Sequence, residues 1–152
     1  MQVCGVQVGR RIRPPEEETM PPRDAGSIMM VMATDAPLSE RQLHRLCVRA
    51  AAGLARTGSQ YGHGSGDFVI AFSSGWPVEH EPAARTAAQM VVVDEERVLG
   101  WLFRAVVEGV EEAILNSLFC AETVVGRDRH VRHALPVAEV VEMVRRYRPD
   151  LL

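Results

Sequence analysis

Apolar residues fall into strand-like and helix-like spacings that divide the chain into short segments. Val6, Gln7 and Val8 alternate and Gly9 follows, which predicts a short strand within Met1–Gly9. Arg10–Ala25 breaks the pattern. Pro14, Pro15, Pro21 and Pro22 remove backbone donors and fix φ around a run of Glu, so this stretch reads as an extended linker ending in Asp24-Ala25-Gly26-Ser27. Ile28–Ala33 is apolar at every position. A strand with one wet face would alternate, so this one is expected to be covered on both faces. Thr34, Asp35 and Pro37 signal a turn. Leu43, Leu46, Cys47, Ala50 and Leu54 then follow helical spacing, predicting an amphipathic helix over Leu38–Arg56 with Ser39 and Gln42 as a capping box.

A glycine-rich stretch, Thr57–Asp67, feeds a second buried strand over Phe68–Phe72, and Ser74–Pro82 reads as a loop. Ala83–Val93 fits helix and strand equally. Asp94–Glu122 predicts a long helix with Leu99, Leu102, Phe103, Val106, Val110, Ile114 and Leu118 on one face and Gly126 at its C-terminal side. Val124–Leu135 is polar. Pro136 opens a last helix carrying Val137, Val140, Val141, Val144 and Tyr147 on one face. Doubly covered strands with long amphipathic helices imply a layered α/β sandwich. Three or four strands are few for a complete sheet, so the chain reads as half of something.

Composition narrows the options. The chain has 152 residues, 47% hydrophobic and 24% charged, which fits one globular domain. A net charge of −3 gives no reason to expect nucleic acid or an anionic membrane as partner. All 17 basic residues are Arg, which excludes a catalytic Lys or a Lys Schiff base. Cys4, Cys47 and Cys120 form no CxxC pair, so neither a thiolate metal site nor a disulfide framework is expected. No stretch approaches the roughly 18 apolar residues of a membrane span. The N-terminus has too short an apolar segment for a signal peptide. A cytoplasmic, reducing location is the default expectation.

Three places hold candidate chemistry. Gly26-Ser27 joins a flexible segment to a rigid strand, a good position from which to hold a reacting group, although Ser27 also fits a plain strand start. Gly64-Ser65-Gly66-Asp67 puts a hydroxyl and a carboxylate two residues apart on a glycine-rich turn, a pair able to orient an amine or polarise a hydroxyl; a plain glycine loop is the bland alternative. A phosphate-cradling loop fails, since there is no P-loop Lys and the loop enters a strand. Asn116–Thr123 with Gly126-Arg127-Asp128 reads as a helix end with a charged cap. His130 and His133 lack a third partner, so no metal is expected. His44 and Arg45 are expected on a solvated helix face.

Gly26–Leu38, Gly53–Ser59 with Gly62–Asp67, and Asn116–Leu118 with Ala121–Thr123 and Gly126–Asp128 together resemble, in order, three blocks of the L-aminopeptidase/D-esterase and β-peptidyl aminopeptidase family. The resemblance implies an αββα sandwich of the N-terminal-nucleophile-hydrolase kind. It implies a precursor that cleaves itself between Gly26 and Ser27 and frees Ser27 as nucleophile. The new α-amine would serve as, or complete, the general base: its pKa of about 7.7–8.0 leaves it partly neutral near pH 7, where a Lys at about 10.4 is not. Ser65 and Asp67 fall on the family's supporting hydroxyl and acid, with the implied role of orienting the Ser27 amine and hydroxyl. The expected reaction removes N-terminal residues from small peptides, amides or esters without a cofactor.

Residues 1–26 correspond to the tail of the family's first subunit plus a linker, and 27–152 to the nucleophile-bearing subunit. Most of the first subunit, which supplies oxyanion and substrate-amine contacts, has no counterpart here. The chain is therefore expected to be the C-terminal portion of a precursor, partnered by the missing region and, as in the family, in a homo-oligomer. The competing reading is a catalytically inactive remnant acting as a binding or assembly module.

Overall fold

The computed structural model describes residues 1–12 and 26–151. Most of the linker expected over Arg10–Ala25 lies outside the described residues.

Strands β1 (Met29–Thr34) and β2 (Phe68–Ser73) pair in parallel, Met29 opposite Phe68 and Thr34 opposite Ser73. Parallel neighbours cannot be joined by a tight hairpin, and α1 (Glu40–Arg56) makes the crossover. The expected capping box starts it: Ser39 Oγ accepts from Gln42 N–H at 3.3 Å, and Ser39 N–H donates to Gln42 Oε1 at 2.9 Å. The long helix α2 (Glu95–Phe119) follows an irregular stretch that includes the ambiguous Ala83–Val93, and Asp94 caps it by accepting from Arg97 N–H at 3.2 Å.

Both helices lie on one side of β1–β2. Met30 packs there with Ala50, Leu54 and Val110, and Leu38, Leu46 and Leu99 form an adjoining cluster. Glu95 ties the two helix starts together: it accepts from Gln42 Nε2 at 2.9 Å and pairs with Arg41 and Arg45. These contacts, the Gln42 hydrogen bond first, hold its carboxyl below the ordinary 4.5. Arg45 is thus half-buried and engaged, not part of a wholly solvated face, whereas His44 is exposed as expected.

Three expectations are corrected. Residues 1–9 form no strand: Cys4 (φ 50) and Gly5 (φ 77) both turn left-handed, which folds Val6 back onto Val3 in an isolated bridge before a 3-10 turn over Val8–Arg10. Val3, Val6 and Val8 instead pack on Val140 of α3 (Val137–Tyr147). Second, α2 ends at Phe119 with Cys120 as its cap, and Gly126 belongs to a hairpin of β3 (Val124–Val125) and β4 (Val131–Arg132), donating to the His130 carbonyl at 2.7 Å. Third, the outer face of β1–β2 has no cover among the described residues: Met29, Val31, Phe68, Ile70 and Phe72 are between 50% and 66% exposed. No described helix is long and apolar enough to cross a membrane.

Candidate active site

The parallel register offsets β2 from β1 by a constant number of residues, so the segments entering the two strands also run side by side. Ser27 therefore faces Gly66. The Gly66 N–H donates to Ser27 Oγ at 3.1 Å, and the Phe68 N–H donates to the Ile28 carbonyl at 3.0 Å to begin the ladder. Asp67 Oδ1 accepts twice, from Ser65 Oγ at 2.7 Å and from the Ile28 N–H at 3.1 Å. A four-residue turn, with Ser65 N–H donating to the Gly62 carbonyl at 3.0 Å, presents this group.

Ser27, Ser65 and Asp67 thus meet at one end of one strand pair, although Ser27 and Ser65 come from segments separated by a whole helix. Ser27 and Gly26 are exposed, and Ser65 and Asp67 are half-buried. The contacts differ in detail from those expected. The carboxylate grips the backbone amide of Ile28, one residue beyond Ser27, while the hydroxyl of Ser27 is held by Gly66. Gly66 and the Ile28 amide were not singled out as contacts in the sequence. The Gly64-Ser65-Gly66-Asp67 motif contains the first, but only the register shows which amide meets Ser27.

The third block lies apart. Ser117 Oγ donates to the Ile114 carbonyl at 2.8 Å, and Thr123 Oγ1 accepts from Ala134 N–H at 3.0 Å, so these residues build the helix end and the hairpin. Ile28 and Ser117 also line an apolar groove of about 700 Å³ beside β1, floored by Ala105, Gly109 and Ala113 of α2. Among the described residues no group of three or more His, Cys, Asp or Glu is placed to hold a metal ion.

The structure thus brings together a serine hydroxyl held by a backbone donor and a hydrogen-bonded Ser–Asp pair at the edge of a helix-backed sheet. The family model for peptidase family S58 matches residues 1–132, and the chain belongs to that family. It is 34% identical over 155 residues to the β-peptidyl aminopeptidase BapA of Sphingosinicella xenopeptidilytica, covering 95% of this chain and 38% of that protein. Its structure is similar to that of the L-aminopeptidase D-Ala-esterase/amidase of Ochrobactrum anthropi, described as a prototype serine aminopeptidase and a variant of the Ntn hydrolase fold. The TM-score is 0.78 with 35% identity, over 94% of this chain and 38% of that one. A protein of Pyrococcus horikoshii OT3 matches with a TM-score of 0.69 and 46% identity, over 77% of this chain and 33% of that one. The expected α/β, Ntn-hydrolase-like fold class therefore holds, and the chain spans 38% of the length of its BapA relative.

Proposed function

We propose that this chain is the nucleophile-bearing part of a self-processing serine aminopeptidase acting on small peptides, amides or esters. The observation that carries this reading is Ser27, directly after Gly26, with its Oγ held by Gly66 and the Ser65–Asp67 pair fixing the next amide.

In the first reaction, Ser27 Oγ attacks the Gly26 carbonyl carbon. The Gly26–Ser27 C–N bond breaks, the acyl group moves to Oγ as an ester, and the hydroxyl proton passes to the departing nitrogen. Water then hydrolyses the ester, leaving a Gly26 carboxylate and Ser27 with a free α-amine and hydroxyl. In turnover, the amine takes the Oγ proton as the hydroxyl attacks a substrate carbonyl and returns it to the leaving group, giving an acyl-enzyme on Ser27; water, deprotonated by the same amine, then hydrolyses that ester and restores the hydroxyl. One residue supplies nucleophile and base, consistent with a chain that has no Lys. Asp67, by holding Ile28, fixes the direction in which Ser27 enters the strand. The polypeptide corresponding to the rest of the relatives' length is the proposed partner. It supplies the remaining substrate and oxyanion contacts and covers the open sheet face.

Intact-mass analysis, alone and with an upstream family segment co-expressed, is expected to resolve 1–26 and 27–152 as separate chains. Ser27→Ala should abolish cleavage and turnover. A wild-type chain that stays whole under both conditions rejects the proposal. The exposed outer face of β1–β2 favours one second reading, an inactive assembly module: an upstream segment would then bind stably with no cleavage and no turnover.

A further inference from the structure

Residues 1–12 precede the Gly26–Ser27 bond, yet the side chains that bury them follow it. Val3, Val6 and Val8 form one buried cluster with Val140 of α3, against which Met143 and Val144 of α3 and Leu115 and Phe119 of α2 also pack. Val8 and Val140 are wholly out of water. Polar contacts fix both ends of the segment. The Gln2 N–H donates to the carbonyl of Thr57, the C-cap of α1, at 2.7 Å, a place where helix carbonyls lack partners within their own helix. Gly58, at φ 95, makes room for this approach: a Cβ there would lie 3.2 Å from the Gln2 nitrogen. At the other end, Arg11 Nη1 donates to the Tyr147 hydroxyl at 2.8 Å, with the guanidinium 4.4 Å from the centre of that ring. Arg148 Nη1 donates to the Cys4 carbonyl at 3.0 Å, while Asp150 holds the same guanidinium through two further hydrogen bonds at 2.9 and 2.8 Å. The segment also keeps its own bend, since Val3 and Val6 exchange hydrogen bonds at 3.1 and 2.8 Å, which lowers the cost of ordering it on the clamp.

We propose that α3, with Tyr147 at its end and Arg148 just beyond, is a retention clamp whose ligand is this chain's own residues 1–12. It keeps the upstream peptide bound to 27–152 after the Gly26–Ser27 bond is cut. This rests on the reading of that bond as the processing site. Cutting one peptide bond removes none of these contacts, and release would open the Val8–Val140 cluster to water. The cluster includes no residue of β1 or β2, so the clamp leaves the open sheet face free for the rest of the precursor.

The test places a site-specific protease sequence between Gly26 and Ser27 of the full chain, so that the cut is made whether or not the chain processes itself. Native mass spectrometry and the dissociation constant of the two pieces are the readouts. With the wild-type sequence elsewhere, the cut pieces should stay paired through gel filtration. Val140→Ala should weaken the pairing by about 10- to 100-fold. Arg148→Ala, outside the buried cluster, should weaken it by about three- to tenfold. Val137→Ala, on the same helix but also outside the cluster, should stay within about threefold. Should Val140→Ala fail to fold, Arg148→Ala carries the comparison. Pieces that separate on cutting, or that pair as tightly with Ala at 148 as without it, overturn the proposal. If the unmodified chain never cleaves itself, it is the proposed function that falls, and the pairing of the protease-cut pieces still decides whether α3 is a clamp.

Discussion

On the helix side of the β1–β2 pair, Met30 is buried against Ala50, Leu54 and Val110; on the other side, Met29, Val31, Phe68, Ile70 and Phe72 stand mostly in the open. Both faces are built from the same kinds of residue, and the difference lies wholly in what the chain folds over them. Helices α1 and α2 come back over one side because the crossover places them there. Among the described residues nothing folds over the opposite side. Parallel sheets are ordinarily buried on both faces, and a contiguous apolar patch of this kind is uncommon on a monomer. The open face is where the proposed partner would pack, and Ser27 lies at the entry end of the same strand pair.

Substitutions that treat the two sides differently sharpen or break this picture. The largest effect is expected from Met30→Ala, which should cost about 2–4 kcal/mol by chemical denaturation. Its neighbour Val31→Ala, pointing the other way, should stay within about 0.5 kcal/mol. Equal losses would mean that the outer face is covered in solution.

Gly53→Ala comes next. A Cβ there would lie 2.7 Å from the Val107 carbonyl oxygen and from Val110 Cβ, so the close approach of α1 to α2 should be lost at about 1–3 kcal/mol. That reverses the usual gain from replacing a helical glycine. Gly109 on α2 has nothing within 4 Å of such a Cβ, so Gly109→Ala should stabilise the chain by about 0.5–1 kcal/mol. If it instead destabilises, a partner already fills the groove beside β1.

The smallest effect concerns Glu95. Its folded-state pKa is depressed, so its contribution is present above 4.5 and is lost as pH falls through the folded value. Glu95→Gln should lower Tm slightly at neutral pH, where the charge contributes, and make the fall of Tm below about pH 4.5 shallower, so that the two proteins converge in acid.

How far the sequence could be read differs by residue. The Ser39–Gln42 capping box, the two apolar strands and the helix faces were legible because each depends on neighbours within a turn or two of the same element. The hairpin bridge between Val3 and Val6 was hidden by Cys4, which takes a left-handed conformation more readily associated with glycine. The engagement of Arg45 was hidden as well. Its partner Glu95 lies on another helix, so helical periodicity could not distinguish it from a solvated residue such as His44. Ser27, Ser65 and Asp67 are candidates by motif and by family resemblance, while their wiring through Gly66 and Ile28 was not legible.

Local patterns in the sequence therefore determined the strands, the helix starts and the candidate residues, since these follow from hydrophobic period, capping chemistry and motif. Only the tertiary structure decided which strand face is covered and which backbone amides meet Ser27 Oγ and Asp67. The reason is physical. Register between two parallel strands is set by how α1 packs across them, an interaction between residues distant in sequence, and a slip of one residue would turn a different amide toward Ser27.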